Sequence, residues 1–538
     1  MKKDLSVWIF VIGLLFALQP GVSQASGSPD LSATIAPVMP CSELAEMSFG
    51  PGVFIDSAME MTAADGLPAH CEVRGTRFYD AFIVKLPDLW NGRYYQAGNG
   101  GAAGSLGDVT MGLKHGFAAA SGSGGHTDLR MFNWAYPADD LEAQLKLEDY
   151  CDGSIHKTMI IAKRILNAYY GRSAARSYYN SCSTGGRQGL IEAQRYPYDF
   201  DGIVVGAPVN YLTSITQRGV WEAQALLPIG GDFAPGKLDL LFDEVMAACD
   251  GRDGLVDGLI GDPRKCDFNP LSDLPACPVD ISDSGCFTLA ERMAINDIYT
   301  GPPGAAATPG EAFGSELAWP LWVTPGSFFP GAPPITLGFV LGAGFVQWAG
   351  LPPTGGGGLG WDWEAYDFEG TDPALVIDNM EPTCDATNPD LSLFRANGGK
   401  MIMWGGWADP ATGPYQWVQY YESVLDYMGD AATKSFFMLY MIPGLYHCGG
   451  GLGCFDTQED LEKLFFAVID WVEKGKAPKS FTGSRRDPVT GEVLRTRPLC
   501  PYPQTAHYHG RGSIDDADNF SCVGRRHPKH RKFPRWWD

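Results

Sequence analysis

The sequence Tyr178-Tyr179-Asn180-Ser181-Cys182-Ser183-Thr184-Gly185-Gly186-Arg187-Gln188-Gly189 carries the strongest structural signal in this 538-residue chain. A short run with strand propensity leads into it, and a helical run at 190–195 follows. Small residues stand at both second neighbours of Ser183, as a serine in a strained strand-to-helix turn requires, because bulky side chains do not fit there. The segment predicts a nucleophile elbow with Ser183 as nucleophile, where the helix N-terminus favours developing negative charge. An ordinary turn is the alternative, since the strict elbow pattern has Gly at position 181.

A serine nucleophile needs a base, and the base needs an orienting carboxylate. The best candidate for the base is His447, which follows a strand-like run at 435–442. The best candidate for the acid is Asp409, which follows a strand-like run at 401–404. The order Ser183, Asp409, His447 is the chain order of α/β-hydrolases. In the alternative interpretation, Asp409 merely forms a turn and His447 is a surface residue.

Two cysteines adjoin these candidates, because Cys182 precedes Ser183 and Cys448 follows His447. If Ser183 and His447 hydrogen-bond to each other, the Cα atoms of their neighbours fall near the roughly 4.4–6.8 Å that a disulfide requires. The alternative is that Cys182 and Cys448 are unrelated buried thiols.

The wider sequence alternates strand-like and amphipathic helical runs before about residue 210 and again after about residue 396, the pattern of an α/β sheet. Between these regions the composition changes: 293–394 has no Lys or Arg and holds five Trp among Gly and Pro. We therefore predict an α/β domain formed by 26–210 and 396–538, interrupted by an inserted domain at 211–395. The elements predicted along the chain include a strand at 82–84 and helices at 157–169, 415–428 and 457–474.

The chain is acidic, with 40 Lys and Arg against 63 Asp and Glu and a net charge of −23 at pH 7. A protein with so large a net negative charge repels polyphosphate, so we do not expect nucleic acid as a partner. The 67 Gly and 39 Pro predict long irregular connections and exclude a helical repeat or coiled coil. Nothing in the sequence indicates an oligomeric state.

The N-terminus has the pattern of a secretory signal peptide. Met1-Lys2-Lys3 is basic, 7–18 is apolar and Ser23-x-Ala25 offers a cleavage site, so we expect removal of residues 1–25 and a secreted or periplasmic protein. A membrane anchor is the alternative, but the apolar run is shorter than the roughly 20 residues that span a bilayer. A second uncharged stretch, 335–351, is interrupted by glycines, and we expect a buried loop or lid there without stable membrane insertion.

Thirteen cysteines fit an exported, disulfide-bonded protein, and no CxxC zinc pattern is present. Close pairs along the chain predict the bridges Cys41–Cys71, Cys249–Cys266, Cys277–Cys286 and Cys500–Cys522. The count is odd, so at least one thiol is left over, and the sequence does not assign Cys151, Cys384 or Cys454.

Three motifs resemble the tannase/feruloyl esterase family: Cys-Ser-x-Gly-Gly-Arg-Gln at 182–188, Gly-Trp-x-Asp at 406–409 and His-Cys at 447–448. The resemblance covers nearly the whole mature chain, and the Cys-Ser/His-Cys pair is its most specific feature. It implies an α/β-hydrolase fold with a large lid between the Ser and Asp segments, where the composition changes. It also implies a Cys182–Cys448 disulfide that holds nucleophile and base in register.

An oxyanion hole needs two N–H donors near the nucleophile. The backbone N–H of Thr184 is expected to be one of them, because it follows Ser183 directly. The second is expected from the Gly98-Asn99-Gly100-Gly101 loop, where glycines permit close approach of the backbone, and we choose Gly101 over Gly100. A plain turn at 98–101 is the alternative.

The segment 249–259 places Asp250, Asp253 and Asp257 among glycines. Calcium prefers six to eight oxygen ligands, so the carbonyls of Leu255 and Leu259 would complete a wrapped loop. The register is not that of an EF-hand, and an Asp-Gly-rich turn without metal is the alternative. The loop closely resembles the calcium loop of the same family, including the flanking cysteines, which implies structural Ca²⁺ in the lid.

The leading hypothesis is a secreted serine carboxylesterase. An aromatic lid without cations suits the flat, uncharged acyl group of a hydroxybenzoic or hydroxycinnamic acid ester. The alternatives are a mono(2-hydroxyethyl) terephthalate hydrolase, a non-catalytic calcium-stabilised binding protein, and a peptidase or lipase on the same fold.

A terephthalate monoester carries a free carboxylate that calls for a nearby cation. The residues 293–394 offer none, which disfavours that substrate, although Arg187, Arg218 or Arg292 could serve. The basic stretch 524–535 is unusual on so acidic a chain, and we expect a disordered or self-docking end.

Overall fold

The structure is a computed structural model that describes residues 34–137, 139–325, 335–351 and 357–524. The predicted signal peptide 1–25 and the basic residues from 525 onward lie outside these ranges.

In the described chain, nine strands form one mixed sheet in the order β1-β2-β3-β5-β4-β6-β7-β8-β9. The strands β1 to β3 pair antiparallel, β5 joins β3 antiparallel, and all pairs from β5 through β9 are parallel. Their bounds are β1 (Val53–Met61), β2 (His70–Arg77), β3 (Asp80–Pro87), β4 (Arg93–Ala97), β5 (Ala118–Gly122), β6 (Arg176–Cys182), β7 (Gly202–Gly206), β8 (Lys400–Gly406) and β9 (Phe437–Ile442). Two antiparallel hairpins follow, β10 (Phe481–Arg486) with β11 (Val493–Leu499), and β12 (Thr505–Tyr508) with β13 (Phe520–Val523).

The helices of the described chain are α1 (Thr110–Lys114), α2 (Leu141–Glu148), α3 (Ser154–Tyr170), α4 (Thr184–Arg195), α5 (Leu212–Leu226), α6 (Lys237–Cys249), α7 (Pro270–Asp273), α8 (Leu289–Thr300), α9 (Trp319–Trp322), α10 (Leu337–Phe345), α11 (Asp372–Cys384), α12 (Ser392–Ala396), α13 (Pro414–Met428), α14 (Asp430–Lys434) and α15 (Glu459–Lys474). None of them combines the length and apolar character that crossing a bilayer demands.

Apolar cores cover both faces of the sheet, because successive side chains of a strand point to opposite sides. On β7, Ile203 and Val205 pack with α3, α4 and α13, whereas Val204 packs with α1 and α15. The parallel strands are buried on both faces, which explains their continuous apolar runs.

The predicted elements lie within the observed ones: the strand at 82–84 within β3, and the helix at 157–169 within α3. The helices expected at 415–428 and 457–474 correspond to α13 and α15. The uncharged stretch 335–351 is different. It contains α10 rather than a loop, with the Thr336 hydroxyl accepting the backbone N–H of Phe339 at the start of the helix.

Residues 207–399, here called the inserted segment, connect the adjacent parallel strands β7 and β8 and include the interval 211–395. Its helices α5 and α10 pack closely because glycines lie at their contact. A Cβ on Gly342 would lie 2.2 Å from the carbonyl O of Thr216, and one on Gly219 would lie 2.4 Å from that of Gly338. The two helices therefore form one wall of the space beside the sheet.

Among the described residues there are six disulfides and one free thiol, the buried Cys454. Five bridges are the expected pairs: Cys41–Cys71, Cys182–Cys448, Cys249–Cys266, Cys277–Cys286 and Cys500–Cys522. The sixth joins Cys151 to Cys384, which the sequence left unassigned. Such a set is typical of proteins that fold in an oxidising compartment.

Candidate active site

Ser183 lies in a sharp turn between β6 and α4. Its backbone has φ 66° and ψ −126°, a conformation rare for a residue with a side chain and typical of a nucleophile elbow. The turn packs so closely that a Cβ on Gly185 would lie 2.0 Å from the Oγ of Ser181. Serine at position 181 therefore fits because position 185 has no side chain.

Ser183, His447 and Asp409 form one hydrogen-bonded chain. The Nε2 of His447 lies 3.0 Å from the Oγ of Ser183, and its Nδ1 lies 2.8 Å from the Oδ2 of Asp409. The three residues follow β6, β9 and β8, whose carboxyl ends share one edge of the parallel sheet. Parallel strands thus bring together three residues that are far apart in sequence.

The carboxylate of Asp409 is fully buried and held by backbone donors. Its Oδ1 accepts the N–H groups of Ala411 at 2.7 Å and Thr412 at 3.2 Å. The ring of Trp322, from the inserted segment, packs edge-to-face on the imidazole of His447 with ring centroids 5.0 Å apart. The imidazole therefore contacts both the Asp409 carboxylate and the Trp322 ring.

The Cys182–Cys448 disulfide bridges the two turns that carry Ser183 and His447. Its Cα atoms lie 6.0 Å apart, and 266 positions separate the two cysteines in sequence. Cys448 has a positive φ of 57°, so the turn after His447 is itself unusual. The bridge links the loop of the serine directly to the loop of the histidine.

Gly101 lies beside the elbow, and its carbonyl O accepts two hydroxyl hydrogen bonds. The Oγ1 of Thr184 donates at 2.7 Å and the phenol of Tyr150 donates at 3.0 Å. The two segments predicted to supply the oxyanion-binding N–H groups are therefore tied to each other.

Arg187, four residues after Ser183, is fully buried. Its guanidinium donates to the carbonyl O atoms of Cys151, Cys384 and Tyr150 at 2.8 to 3.0 Å and lies 4.9 Å from the Tyr150 ring centroid. It thereby links α4 to both ends of the Cys151–Cys384 bridge.

A cavity of about 180 Å³ opens beside Ser183 and His447. Its wall is mainly apolar and includes Phe132, Leu212, Ile215, Leu337 and Leu341. Among the described residues, the acidic and basic side chains that line it, apart from His447, are Glu222 and Arg218. Such a space suits an aromatic group, because it offers apolar contact with few polar groups.

Of the three arginines considered for a substrate carboxylate, only Arg218 lines this cavity. The guanidinium of Arg187 donates to backbone carbonyls, and that of Arg292 donates to the carbonyl O of Leu271 at 2.7 Å. Arg218 itself is buried between two carboxylates, Glu222 and Glu311.

The predicted calcium loop curls back on Asp250, whose carboxylate accepts the N–H groups of Asp257 and Gly258. Asp253, Leu255, Asp257 and Leu259 all line one further cavity. Asp257 also forms an ion pair with Arg497 from β11. Within the described ranges, no three His, Cys, Asp or Glu side chains are grouped in a way that could hold a metal ion. Asp250 does not line that cavity, and calcium binding stays a prediction.

Sequence reasoning missed Tyr150, the Cys151–Cys384 bridge and the pairing of Arg218 with Glu222 and Glu311. The spacing of Arg218 and Glu222 by four residues is a usable signal for a helical ion pair. No local signal indicates that this pair is buried at the cavity that Ser183 also lines.

Comparison with known proteins identifies relatives along almost the whole chain. A family model described as "Tannase and feruloyl esterase" matches residues 72–321 and 359–523. A mono(2-hydroxyethyl) terephthalate hydrolase of Piscinibacter sakaiensis is 31% identical over 534 residues, covering 87% of each chain. A probable feruloyl esterase of Arthroderma benhamiae is 31% identical over 457 residues, covering 82% of this chain and 81% of its own. The crystal structure of feruloyl esterase B from Aspergillus oryzae superposes with a TM-score of 0.76 at 25% identity, covering 90% of this chain and 99% of that one.

The fold and these relatives define an α/β-hydrolase and a carboxylic ester hydrolase. Within that class, the chain belongs to the tannase and feruloyl esterase family. The predictions of fold, family and ester hydrolase class are confirmed.

Proposed function

We propose that this protein hydrolyses esters of aromatic carboxylic acids through a Ser-His-Asp triad and an acyl-enzyme. The observation that carries the proposal is the hydrogen-bonded chain of Ser183, His447 and Asp409 beside an apolar cavity.

In this mechanism the Oγ of Ser183 attacks the ester carbonyl while the Nε2 of His447 takes its proton. Asp409 accepts the Nδ1–H of His447 and stabilises the imidazolium that forms. His447 then gives the proton to the leaving alcohol, and water repeats the sequence on the acyl-enzyme to release the acid. The tetrahedral oxyanion is bound by the backbone N–H groups of Thr184 and Gly101.

The acyl group occupies the apolar cavity, which favours a hydroxybenzoate or hydroxycinnamate. The feruloyl esterase relatives support this substrate class. A second candidate is a terephthalate monoester, which is favoured by the relative from Piscinibacter sakaiensis that is named for that substrate.

The inserted segment acts as the lid of this site, because α5, α10 and Trp322 line the cavity and Trp322 contacts His447. The loop 250–259 within it binds one structural Ca²⁺ through Asp250, Asp253 and Asp257 with the carbonyls of Leu255 and Leu259. The protein is secreted or periplasmic after cleavage near Ala25, a location that suits its disulfides.

The test is Ser183→Ala, assayed with methyl ferulate, methyl gallate and p-nitrophenyl acetate. Loss of the nucleophile should lower kcat about 10⁴-fold or more. The matched control, Ser181→Ala, removes a hydroxyl from the same turn and should stay within severalfold of wild type. Residual activity within tenfold in folded Ser183→Ala, shown by an unchanged melting temperature, would contradict the triad.

A further inference from the structure

Three charged side chains form a buried cluster under the active-site cavity: Arg218 and Glu222 on α5, and Glu311. The Nε of Arg218 lies 3.1 Å from the Oε1 of Glu222, and its Nη2 lies 3.0 Å from the Oε1 of Glu311. Each of the three is at most 3% exposed. The Nη2 of Arg218 also donates to the carbonyl O of Pro410 at 2.9 Å, so the cluster adjoins the loop that carries Asp409.

The cluster faces the same cavity as Ser183, because Arg218 and Glu222 both line it. The other α5 residues in the wall share one face of the helix, at spacings of three and four: Leu212, Ile215, Thr216 and Gly219. The nucleophile lies at the N-terminal end of this row, since the N–H of Val209 donates to the carbonyl O of Ser183. From Leu212 to Glu222 the helix rises about 15 Å. The cavity therefore extends from the nucleophile toward Glu222, far enough for a substituted aromatic acyl group.

Four atoms of the cluster lack hydrogen-bond partners in the described structure: the Nη1 of Arg218, the Oε1 of Glu222 and both carboxylate oxygens of Glu311. The Nη1 of Arg218 is a buried donor without an acceptor, and the Oε1 of Glu222 is a buried acceptor. Glu222 lies close to the Nε of Arg218, but that contact lacks hydrogen-bond geometry. Buried polar atoms are nearly always satisfied, so an unpartnered donor and an unpartnered acceptor on the two charged residues that line the cavity call for a ligand group that can both donate and accept. A hydroxyl group can do both.

The charge of Arg218 is already balanced, because one guanidinium faces two carboxylates. Burial raises the pKa of both Glu222 and Glu311, which favours a proton held between them. With that proton the cluster is neutral, and without it the charge is −1. A substrate carboxylate would therefore add an uncompensated buried negative charge, which is costly, whereas a neutral hydroxyl adds none.

We propose that Glu222 and Arg218 form a subsite that recognises a hydroxyl group on the aromatic acyl part of the ester and excludes an acyl carboxylate. The inference rests on the proposed function, because an acyl group reaches the cluster only when Ser183 is the nucleophile. Glu222 accepts the hydroxyl hydrogen, and Arg218 donates to the hydroxyl oxygen.

The test compares kcat/KM for three methyl esters that differ only at the para position: methyl 4-hydroxybenzoate, methyl benzoate and monomethyl terephthalate. The matching cinnamates repeat the series with a longer acyl group. Wild type should prefer the hydroxylated ester over the unsubstituted one by about tenfold or more, and the carboxylated ester should be the poorest. Glu222→Gln should lower the hydroxyl preference about tenfold and raise the relative rate on the carboxylated ester.

The matched control is Glu316→Gln, which alters another buried carboxylate of the inserted segment. Glu316 accepts the Tyr299 hydroxyl at 2.6 Å and does not line the cavity, so this variant should keep the wild-type ratios. Unchanged ratios in Glu222→Gln would overturn the subsite, as would a wild type that prefers the carboxylated ester. If Glu222→Gln does not fold, the wild-type series alone decides. A folded wild type that cleaves none of the esters, or whose turnover survives Ser183→Ala, would instead overturn the proposed function and the subsite with it.

Discussion

Cys182 and Cys448 are joined by a disulfide, and each is the immediate chain neighbour of a residue in the hydrogen-bonded pair Ser183–His447. The bridge and the hydrogen bond thus connect the same two turns. A cross-link over so long a loop should stabilise the fold by several kcal/mol on any interpretation. Its effect on catalysis is the more informative measurement.

Replacing both Cys182 and Cys448 with alanine should lower kcat tenfold or more, because a misplacement of about 1 Å between reacting groups can cost about a hundredfold. The measurement is kcat at a temperature where circular dichroism shows the double variant fully folded. The control is the double alanine variant of Cys41 and Cys71, a bridge between the N-terminal turn and β2. Equal kcat in the first variant and wild type would mean that the bridge only stabilises the fold.

Tyr150→Phe removes one of the two hydroxyl donors to the carbonyl O of Gly101. We expect kcat to fall about threefold to tenfold with little change in KM, because an oxyanion hole acts mainly in the transition state. The matched control is Tyr170→Phe, which loses a similar buried bond to the carbonyl O of Pro87. A change in KM alone would argue against a role of Tyr150 in positioning this loop.

Removal of calcium should lower the melting temperature and leave kcat intact at low temperature, since the proposed site is in the inserted segment and not at Ser183. Metal analysis should find one Ca²⁺ per chain, and added Ca²⁺ should restore the melting temperature. Asp253→Asn should weaken this response. The control Asp267→Asn alters an exposed carboxylate near the loop that pairs with Arg252. An unchanged melting temperature after verified removal of calcium would speak against the site.

Asp385 should make the stability of the fold fall as pH rises from about 4 to about 7. Its buried carboxyl accepts both the N–H and the hydroxyl of Thr213, at 3.0 and 2.8 Å, and burial raises its pKa to about 7. In this window the folded state keeps a proton that the unfolded state has lost. The contribution of Asp385 to the unfolding free energy is therefore fully present below the unfolded pKa of about 3.9, and it is lost as pH rises through the folded pKa.

Asp385→Asn should remove this contribution and flatten the dependence of the unfolding free energy on pH between 4 and 7, as measured by denaturant titration. The exposed Asp56→Asn is the control and should leave the slope unchanged. A slope in Asp385→Asn that equals the wild-type slope would refute the assignment.

The sequence by itself was sufficient to predict the α/β fold and the three residues that hydrogen-bond in the structure. The reason is that these signals are local. The elbow around Ser183 needs small neighbours within two positions, and Asp409 and His447 each follow an apolar run that can be recognised as a strand. Parallel strands then bring their carboxyl ends to one edge without further information.

Only the tertiary structure decided the rest, because the remaining contacts join segments that no short-range pattern connects. Cys151 and Cys384 are 233 positions apart, so their spacing does not predict a bridge. The bridges between cysteines that are close in sequence could be predicted from their spacing. Arg218 and Glu222 have ordinary helical spacing, and nothing in sequence distinguishes a solvated pair from a buried one. Their burial at the cavity beside Ser183, with Glu311 as a third partner, arises from how the inserted segment packs. A buried charge differs from a solvated one because packing removes the water that would otherwise stabilise it, so the charge needs partners within the fold.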